Sequence, residues 1–156
     1  MNSLFTSISD PVEKCREISL SLLKKSLELV VDVENTDKLL LETVQKLCGR
    51  INDVPFLETT EELRLQITDT LITLVKKHRA KVTADMARSI LQMLSKGLTD
   101  SFPAVKRSCA ELLVMVSGLF PQVAREHFKS ILKVLLVNVA HQHSKTRILT
   151  LEAIGI

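Results

Sequence analysis

Four segments of the chain align with one another at intervals of roughly 40 to 50 residues, and this internal repeat restricts the possible folds more than any other feature. Each segment has a basic residue close to the start of a predicted helix, which we use as the anchor of the alignment. The anchors are Arg16, Arg64, Lys106 and Arg147, at spacings of 48, 42 and 41 residues. The residues three positions later are mostly small or β-branched, and those seven positions later are Leu23, Leu71, Leu113 and Ile154. A period of about 40–47 residues with two helices per unit is typical of HEAT and armadillo arrays.

Units of this kind must stack, because one helix pair cannot bury its apolar stripe alone. The predicted fold is therefore an all-α solenoid of stacked antiparallel helix pairs. We expect residues 1–156 to form a single array of about four repeats whose first and last units are truncated, because only nine residues follow the last anchor. Neither terminus resembles the polar cap that solenoids need for solubility, so we expect a piece of a longer array or a shortened gene product.

The composition favours helices. The chain contains 26 leucines in 156 residues but only five Phe, four Gly and neither Trp nor Tyr, whereas an all-β domain would need more Thr, aromatic residues and turn glycines. Capping and breaking residues then predict helices over approximately 11–31, 37–51, 61–79, 84–97, 103–118 and 121–140, with a last one from about 145. On the first of these, the apolar residues at helical spacing are Ile18, Leu22, Leu23 and Leu29, with Ser26 among them.

The turns before the anchors carry a second regular feature. Asp10 and Asp100 stand six residues before the first and third anchors, and Glu58 and His141 hold that position before the other two. We predict that the turn aspartate and the basic residue six positions later form a hydrogen-bonded ladder between adjacent repeats. Its residues would be Asp10, Arg16, Arg64, Asp100, Lys106 and Arg147. The alternative is that these residues are ordinary exposed charges; contact of Asp100 with Arg64 or Lys106 is what the ladder requires.

Charge is distributed unevenly along the chain. Residues 1–78 carry 10 basic and 13 acidic side chains, a balance of −3, whereas residues 79–156 carry 11 basic and 5 acidic ones, a balance of +6. A basic second half can attract an acidic partner. We therefore predict a partner-binding basic edge, suited to an acidic peptide, formed by Lys106, Arg107, Lys145 and Arg147. The alternative is a set of solvated helix faces.

Groups that could carry catalysis are few. The three cysteines, Cys15, Cys48 and Cys109, are odd in number and contain no C-x-x-C pair, so we interpret them as reduced packing residues. His141 and His143 form the one close histidine pair, but a metal site there would need a third ligand. Cys109 and His141 could approach each other across neighbouring repeats, but a nucleophilic cysteine needs an exposed, electropositive pocket and an orienting third group, whereas Cys109 occupies a packing position. We expect no catalytic, metal-binding or cofactor-binding residues, no cofactor and no enzymatic activity.

Other functional classes are also disfavoured. No glycine-rich phosphate loop is present, and the absence of Trp and Tyr argues against stacking of nucleic-acid bases, so we expect no nucleic-acid partner. The longest apolar run is only Leu112–Val116, far below the length of a membrane span, so we expect no membrane partner either. The N-terminus lacks the features of a signal peptide, and the cysteine usage fits a reducing compartment, which together predict a cytoplasmic location.

Several segments resemble the early HEAT repeats of the dynein axonemal assembly factor 5 family. Three of them are Ser9–Arg16 (SDPVEKCR), Glu61–Leu65 (EELRL) and Ala140–Arg147 (AHQHSKTR). The stretch from Leu98 to Arg107 is similar to that family's leucine-aspartate turn followed by Val-Arg-Arg, and Glu152–Gly155 is similar to its repeat ending. The order and approximate spacing agree over nearly the whole chain. A Ser-Asp-Pro turn occurs in many HEAT proteins, whereas the His-Gln-His-Ser-Lys turn is more specific.

The resemblance implies a cytoplasmic, non-enzymatic scaffold for the preassembly of dynein arms of cilia and flagella. Its implied partners are dynein chains, other assembly factors and chaperones, and the family has no catalytic residues to carry over. The alternative is a generic HEAT scaffold or adaptor of the tubulin-binding, transport-receptor or phosphatase-scaffold type. Tubulin-binding modules of this fold use an exposed Trp in an early turn, and the chain has no Trp.

Overall fold

A computed structural model of the chain describes residues 2–29 and 36–155, and these form eight α-helices without a β-strand. In chain order the helices are α1 (Asn2–Ser7), α2 (Glu13–Leu29), α3 (Thr36–Gly49), α4 (Glu61–Lys77), α5 (Ala84–Gly97), α6 (Pro103–Leu119), α7 (Pro121–Val139) and α8 (Ser144–Ile154). A single 3₁₀ turn, Arg79–Lys81, follows α4. The predicted helix boundaries agree with these bounds to within a few residues, and the predicted end of the first helix near Val31 lies outside the described residues.

The helices pack in two layers. The anchor layer contains α2, α4, α6 and α8, each packed against the next, and the second layer contains α1, α3, α5 and α7, in which α3 packs on α5 and α5 on α7. Consecutive members of the two layers also contact each other. Within the described residues they form, in chain order, a first helix pair of α1 and α2, a second of α3 and α4, a third of α5 and α6 and a fourth of α7 and α8. The predicted all-α solenoid of stacked helix pairs is confirmed in this arrangement.

Residues that favour helix ends stand where several of these helices begin or end. Pro103 and Pro121 occupy the first turns of α6 and α7, where the fixed proline φ suits a helix and no amide hydrogen is needed. The hydroxyl of Thr83 accepts a hydrogen bond from the amide of Met86, capping α5. Glu61 and Glu62 begin α4 and Lys76 and Lys77 end it, so both ends of that helix match its dipole.

The repeat positions coincide with the core. The residues seven positions after the first three anchors are buried, and so are the residues three positions after all four anchors: Leu23, Leu71 and Leu113, and Ser19, Ile67, Cys109 and Thr150. Small or β-branched residues at the second set of positions let neighbouring helices approach. The recurring pattern in the sequence is therefore the pattern of packing between the two layers.

The apolar stripe expected on the first long helix is only partly buried. Ile18 and Leu22 are each 50% exposed and Leu29 is 78% exposed, whereas Leu20 and Leu27 join Leu23 in the core. The second layer and α4 cover two sides of α2, and within the described parts of the chain no helix covers the side that carries Ile18 and Leu22. Helical spacing alone could not distinguish the covered side from the uncovered one.

Candidate protein-binding edge and inter-unit ladder

A buried ion pair joins the second and third helix pairs. Arg64 on α4 donates from Nε to Asp100 Oδ2 at 2.6 Å and from Nη2 to Asp100 Oδ1 at 2.9 Å. Its Nη1 donates to the carbonyl oxygens of Glu58 and Thr59 in the turn before its own helix. The guanidinium also lies 4.9 Å from the ring centroid of Phe56. The hydrogen bonds to Asp100 outweigh burial and raise the pKa of Arg64.

The first and second helix pairs are joined in the same way, but by a glutamate. Arg16 Nε and Nη2 donate to the two carboxylate oxygens of Glu58 at 2.9 and 3.0 Å, while its Nη1 donates to the carbonyl oxygens of Asp10 and Pro11. Arg50 donates to the same carboxylate at 2.9 Å. Burial, which by itself would raise the pKa of Glu58, is outweighed by these hydrogen bonds, and the pKa is lowered.

The third connection differs from the predicted ladder. Lys106 does not bond Asp100; its Nζ donates to Asn138 Oδ1 at 2.9 Å, and Asn138 Nδ2 donates to the carbonyl oxygen of Leu98. Asp100 is already held by Arg64, and a lysine lacks the forked guanidinium that bonds a carboxylate and the turn carbonyls together. Burial lowers the pKa of Lys106, and the nearby charge of Asp100 partly opposes that effect.

The two outer residues of the predicted ladder bond only within their own turns. Asp10 Oδ1 accepts a hydrogen bond from the amide of Val12, and Arg147 Nη1 donates to the carbonyl oxygens of His141 and Gln142. In the described part of the chain no basic residue pairs with Asp10 and no carboxylate with Arg147, because each would require a further neighbouring helix pair. The ladder is therefore directional: an anchor bonds the turn of the following unit.

The predicted ladder left out Glu58, although the alignment placed it at the equivalent turn position, and the alignment missed Asn138 altogether. Asn138 is 2% exposed and bridges α6, α7 and the turn before α6. The available signal was a single polar residue inside the apolar run Leu135–Val139, since a buried amide requires hydrogen-bond partners.

Three of the four predicted basic-edge residues lie where a partner could reach them. Arg107 and Arg147 are half-buried and Lys145 is exposed, whereas Lys106 is engaged with Asn138. Among the described residues, none of these three has a carboxylate partner. His141 lies beside the same edge, and its pKa is lowered first by burial and then by the charges of the surrounding basic residues.

An open groove of about 490 Å³ runs beside this edge between α4, α6 and α8. Arg107 and Lys145 line it together with apolar Leu65 and Ile148. Two acidic residues also line the groove, but both are engaged: Asp69 accepts a hydrogen bond from Ser108 at 2.8 Å, and Glu111 pairs with Lys76 at 2.8 Å. Asp69 and Glu111 keep their negative charges in these contacts, so the groove carries charges of both signs, and Arg107 and Lys145 are the lining charges that have no carboxylate partner among the described residues.

The weaker chemical candidates do not assemble into a reactive site. The rings of His141 and His143 lie 5.3 Å apart, and His141 Nδ1 accepts a hydrogen bond from the amide of His143. Cys109 is fully buried, and burial raises the pKa of its thiol, as it raises that of Cys48 to about 12. Across residues 2–29 and 36–155 no group of three potential ligands could hold a metal ion. None of the helices described is both long and apolar enough to cross a membrane.

Comparison with known proteins finds one family and several relatives that are similar to the chain. The family described as "Dynein axonemal assembly factor 5-like, TPR repeats" matches residues 1–156. Dynein axonemal assembly factor 5 of Xenopus laevis is 28% identical over 155 residues, covering 99% of this chain and 18% of the relative. The Homo sapiens protein is 30% identical over 153 residues, covering 97% and 18%. No solved structure shows significant similarity to the chain.

The chain thus spans only 18% of the length of each of these two relatives. The family's description names TPR repeats, which are also built of helix pairs, as observed here. The observed units are, however, longer than the 34 residues of a standard TPR unit. Because the match extends over every residue, the chain belongs to the dynein axonemal assembly factor 5-like family.

Proposed function

We propose that the chain is a non-enzymatic protein-interaction scaffold that assists the cytoplasmic preassembly of axonemal dynein arms for cilia and flagella. The observation that carries this proposal is the family match over residues 1–156, supported by relatives whose names state a role in axonemal dynein assembly. A solenoid suits such a role because stacked pairs expose extended surfaces on which several partners can bind. The proposed partners are dynein chains, other assembly factors and chaperones.

The basic edge is the proposed binding surface. Arg107, Lys145 and Arg147 lack carboxylate partners within the described residues, and apolar side chains, among them Leu65 and Ile148, line part of the groove beside them. A partner segment with acidic and apolar side chains would find both charges and apolar contact area there. Charges of this kind mainly steer and orient an encounter, while the apolar contacts slow dissociation.

The experiment is affinity purification of the tagged chain from ciliating cells, followed by mass spectrometry. The wild type should recover dynein chains, assembly factors and chaperones. The variant Arg107→Glu/Lys145→Glu should lose most of them while remaining folded, because the reversed charges repel an acidic segment. Microscopy of the same tagged chain tests the cytoplasmic location.

A matched control makes the result specific. Lys129→Glu/Lys133→Glu changes the net charge by the same amount at exposed positions on α7, so it should recover the same partners as the wild type. Recovery of nuclear transport cargo instead of dynein chains would contradict the proposed function. Equal loss of partners in both double variants would contradict the assignment to the basic edge.

A further inference from the structure

The turn residue six positions before each anchor has the same local role in all four units. In the first three units it is Asp10, Glu58 or Asp100, and one of its carboxylate oxygens accepts a hydrogen bond from the amide two residues later. In the fourth unit it is His141, whose Nδ1 accepts a hydrogen bond from the amide of His143 at 3.1 Å. His141 therefore occupies the ladder position of its turn, although it is not an acid.

The second oxygen of the carboxylate joins the units. Glu58 Oε2 and Asp100 Oδ2 each accept a hydrogen bond from Nε of the anchor arginine in the preceding unit. The second ring nitrogen of His141 does not accept in this way, because Nδ1 already accepts and the proton of the neutral ring therefore lies on Nε2. The preceding anchor here is Lys106, whose ammonium also only donates. The junction between the third and fourth helix pairs thus has two donors where the earlier junctions have a donor and an acceptor.

Positive charges surround His141. Burial has the largest effect on the pKa of His141 and lowers it, and the charges of Lys106, His143, Arg107 and Arg147 lower it further, with Lys106 first among them. An effect of that rank requires the ammonium of Lys106 to lie near the imidazole, because the interaction of two charges weakens with distance.

The contacts of Lys106 leave part of its ammonium unused. Of the three donors on its Nζ, one bonds Asn138 Oδ1. The carboxylate of Asp100 is close enough to affect the pKa of Lys106, but its oxygens are already bonded by Arg64 and by an amide of its own turn. Both helix pairs of this junction lie inside the described part of the chain, so the arrangement does not depend on a unit before the first or after the fourth.

We propose that the junction between the third and fourth helix pairs is a carboxylate-binding site, in which an Asp or Glu side chain of a partner protein places an oxygen between Lys106 Nζ and His141 Nε2. The partner's carboxylate takes the place that Glu58 and Asp100 fill at the earlier junctions, and Arg107 adds a positive charge beside it. Hydrogen bonds from charged donors to a carboxylate are stronger than those between neutral groups. The site rests on the proposed function, because the partner is the acidic segment that the basic edge would bind.

Nuclear magnetic resonance of the histidine rings tests the site, with acetate as the probe and chloride at equal ionic strength as the reference. Acetate should shift the Nε2 signal of His141 and raise its pKa, because a bound anion favours the imidazolium form. The signals of His78 and His127, which lie elsewhere on the chain, should not respond. Lys106→Met should weaken acetate binding by at least about tenfold, since a hydrogen bond to a charged group is lost. No shift of His141, or tighter binding of inorganic phosphate than of acetate, would overturn the proposal.

A carboxylate built into the chain provides a second test. His141→Glu supplies an acceptor at the ladder position, so its melting temperature should exceed that of the wild type. It should also abolish the stabilisation by acetate, relative to chloride, that the wild type shows. Lys129→Met is the control, because it makes the same change in net charge at an exposed position on α7, and it should respond to acetate as the wild type does. A His141→Glu protein that acetate still stabilises to the wild-type extent would contradict the site.

Affinity purification with His141→Glu separates the site from the proposed function. The added carboxylate excludes that of the partner, so this variant should recover less of the dynein chains, assembly factors and chaperones than Lys129→Met does. Equal recovery by the two variants would overturn the site and leave the proposed function standing. A wild type that recovers no dynein chain but binds acetate at His141 would contradict the proposed function and still support a carboxylate site.

Discussion

Individual buried charges are tolerated in this chain because each is surrounded by several partners. Asp100 is 1% exposed and accepts two hydrogen bonds from Arg64 and one from the amide of Phe102. Removing one member of a buried ion pair leaves the other charge buried without an opposite charge. This lowers the free energy of unfolding far more than the loss of a surface pair does. The ladder is therefore where single substitutions should have their largest effects.

Substitution of Arg64 should be strongly destabilising. Arg64→Met keeps an unbranched side chain but leaves the Asp100 carboxylate without its guanidinium, so the free energy of unfolding should fall by about 3–5 kcal/mol. Arg88→Met is the matched control, because Arg88 pairs only with the exposed side chains of Asp85 and Glu126, and it should cost no more than about 1 kcal/mol. Urea denaturation measures both values, and equal losses would contradict a structural role for the Arg64 pair.

Glu58 should make the stability depend on pH. Its pKa is lowered in the folded state, so between its unfolded value, about 4.3, and its lower folded value the unfolded chain binds more protons. The stabilisation is complete above the unfolded pKa and is lost as pH falls through the folded one. Denaturation curves of wild type and Glu58→Gln should therefore converge as the solution is acidified. A constant difference between them would contradict this.

At the residue scale the sequence predicted part of the ladder. The alignment placed Arg64 and Asp100 in it because both occupy recurring positions, and the structure brings these two together. It did not identify Asn138, because the third connection departs from the repeat and depends on how α7 packs beside Lys106. A repeat predicts which positions are equivalent. It does not predict which side chain accepts the hydrogen bond of an anchor residue when an equivalent position carries a shorter or different side chain.

At the level of helices, α5 ends in close packing against α6. A Cβ atom on Gly97 would lie 2.7 Å from Cys109 Sγ, whereas one on Gly118, also within a helix, would have no neighbour within 4 Å. Gly97 is therefore required for space, and Gly118 is not. The sequence predicted a helix that ends at about residue 97, whereas the contact of Gly97 with Cys109 required knowledge of the packing between the two helices.

The two glycines should respond in opposite directions to alanine. Gly97→Ala should lower the melting temperature, with a loss of about 1–3 kcal/mol from overpacking, and Cys109→Ala in the same chain should recover part of that loss by removing the sulfur. Gly118→Ala should be neutral or stabilise by up to about 1 kcal/mol, because alanine favours the helix. Thermal unfolding of the wild type and these three variants checks this, and a Gly97→Ala protein as stable as wild type would refute the close contact.

At the scale of the whole molecule, one continuous core joins the helix pairs. Cys48 and Cys109 are buried in it while Cys15 is exposed, so one thiol should react with iodoacetamide under native conditions and the other two only in denaturant. Burial raises the pKa of Cys48 to about 12, which further suppresses its thiolate. Mass spectrometry after timed labelling gives the number of thiols that have reacted. Rapid native labelling of three thiols would contradict a single packed core.

The overall architecture was the most predictable feature. A repeat period and alternating helix-sized segments were sufficient to predict stacked pairs, because only stacking buries their apolar sides. The exposure of Ile18 and Leu22 could not be predicted in the same way, since it depends on which sides of α2 have neighbours. A function could be proposed only from resemblance and comparison, because helix-pair solenoids serve many unrelated roles.

A double-mutant cycle on Arg64 and Asp100 tests most directly whether the ladder couples neighbouring helix pairs. The free energies of unfolding of wild type, Arg64→Met, Asp100→Ala and the double variant would be compared. The double variant should lose less than the sum of the two single losses, with a coupling of about 2–3 kcal/mol, because removing the second partner no longer leaves a buried charge uncompensated. Losses that add to within about 0.5 kcal/mol would show that the two side chains act independently and would contradict the ladder.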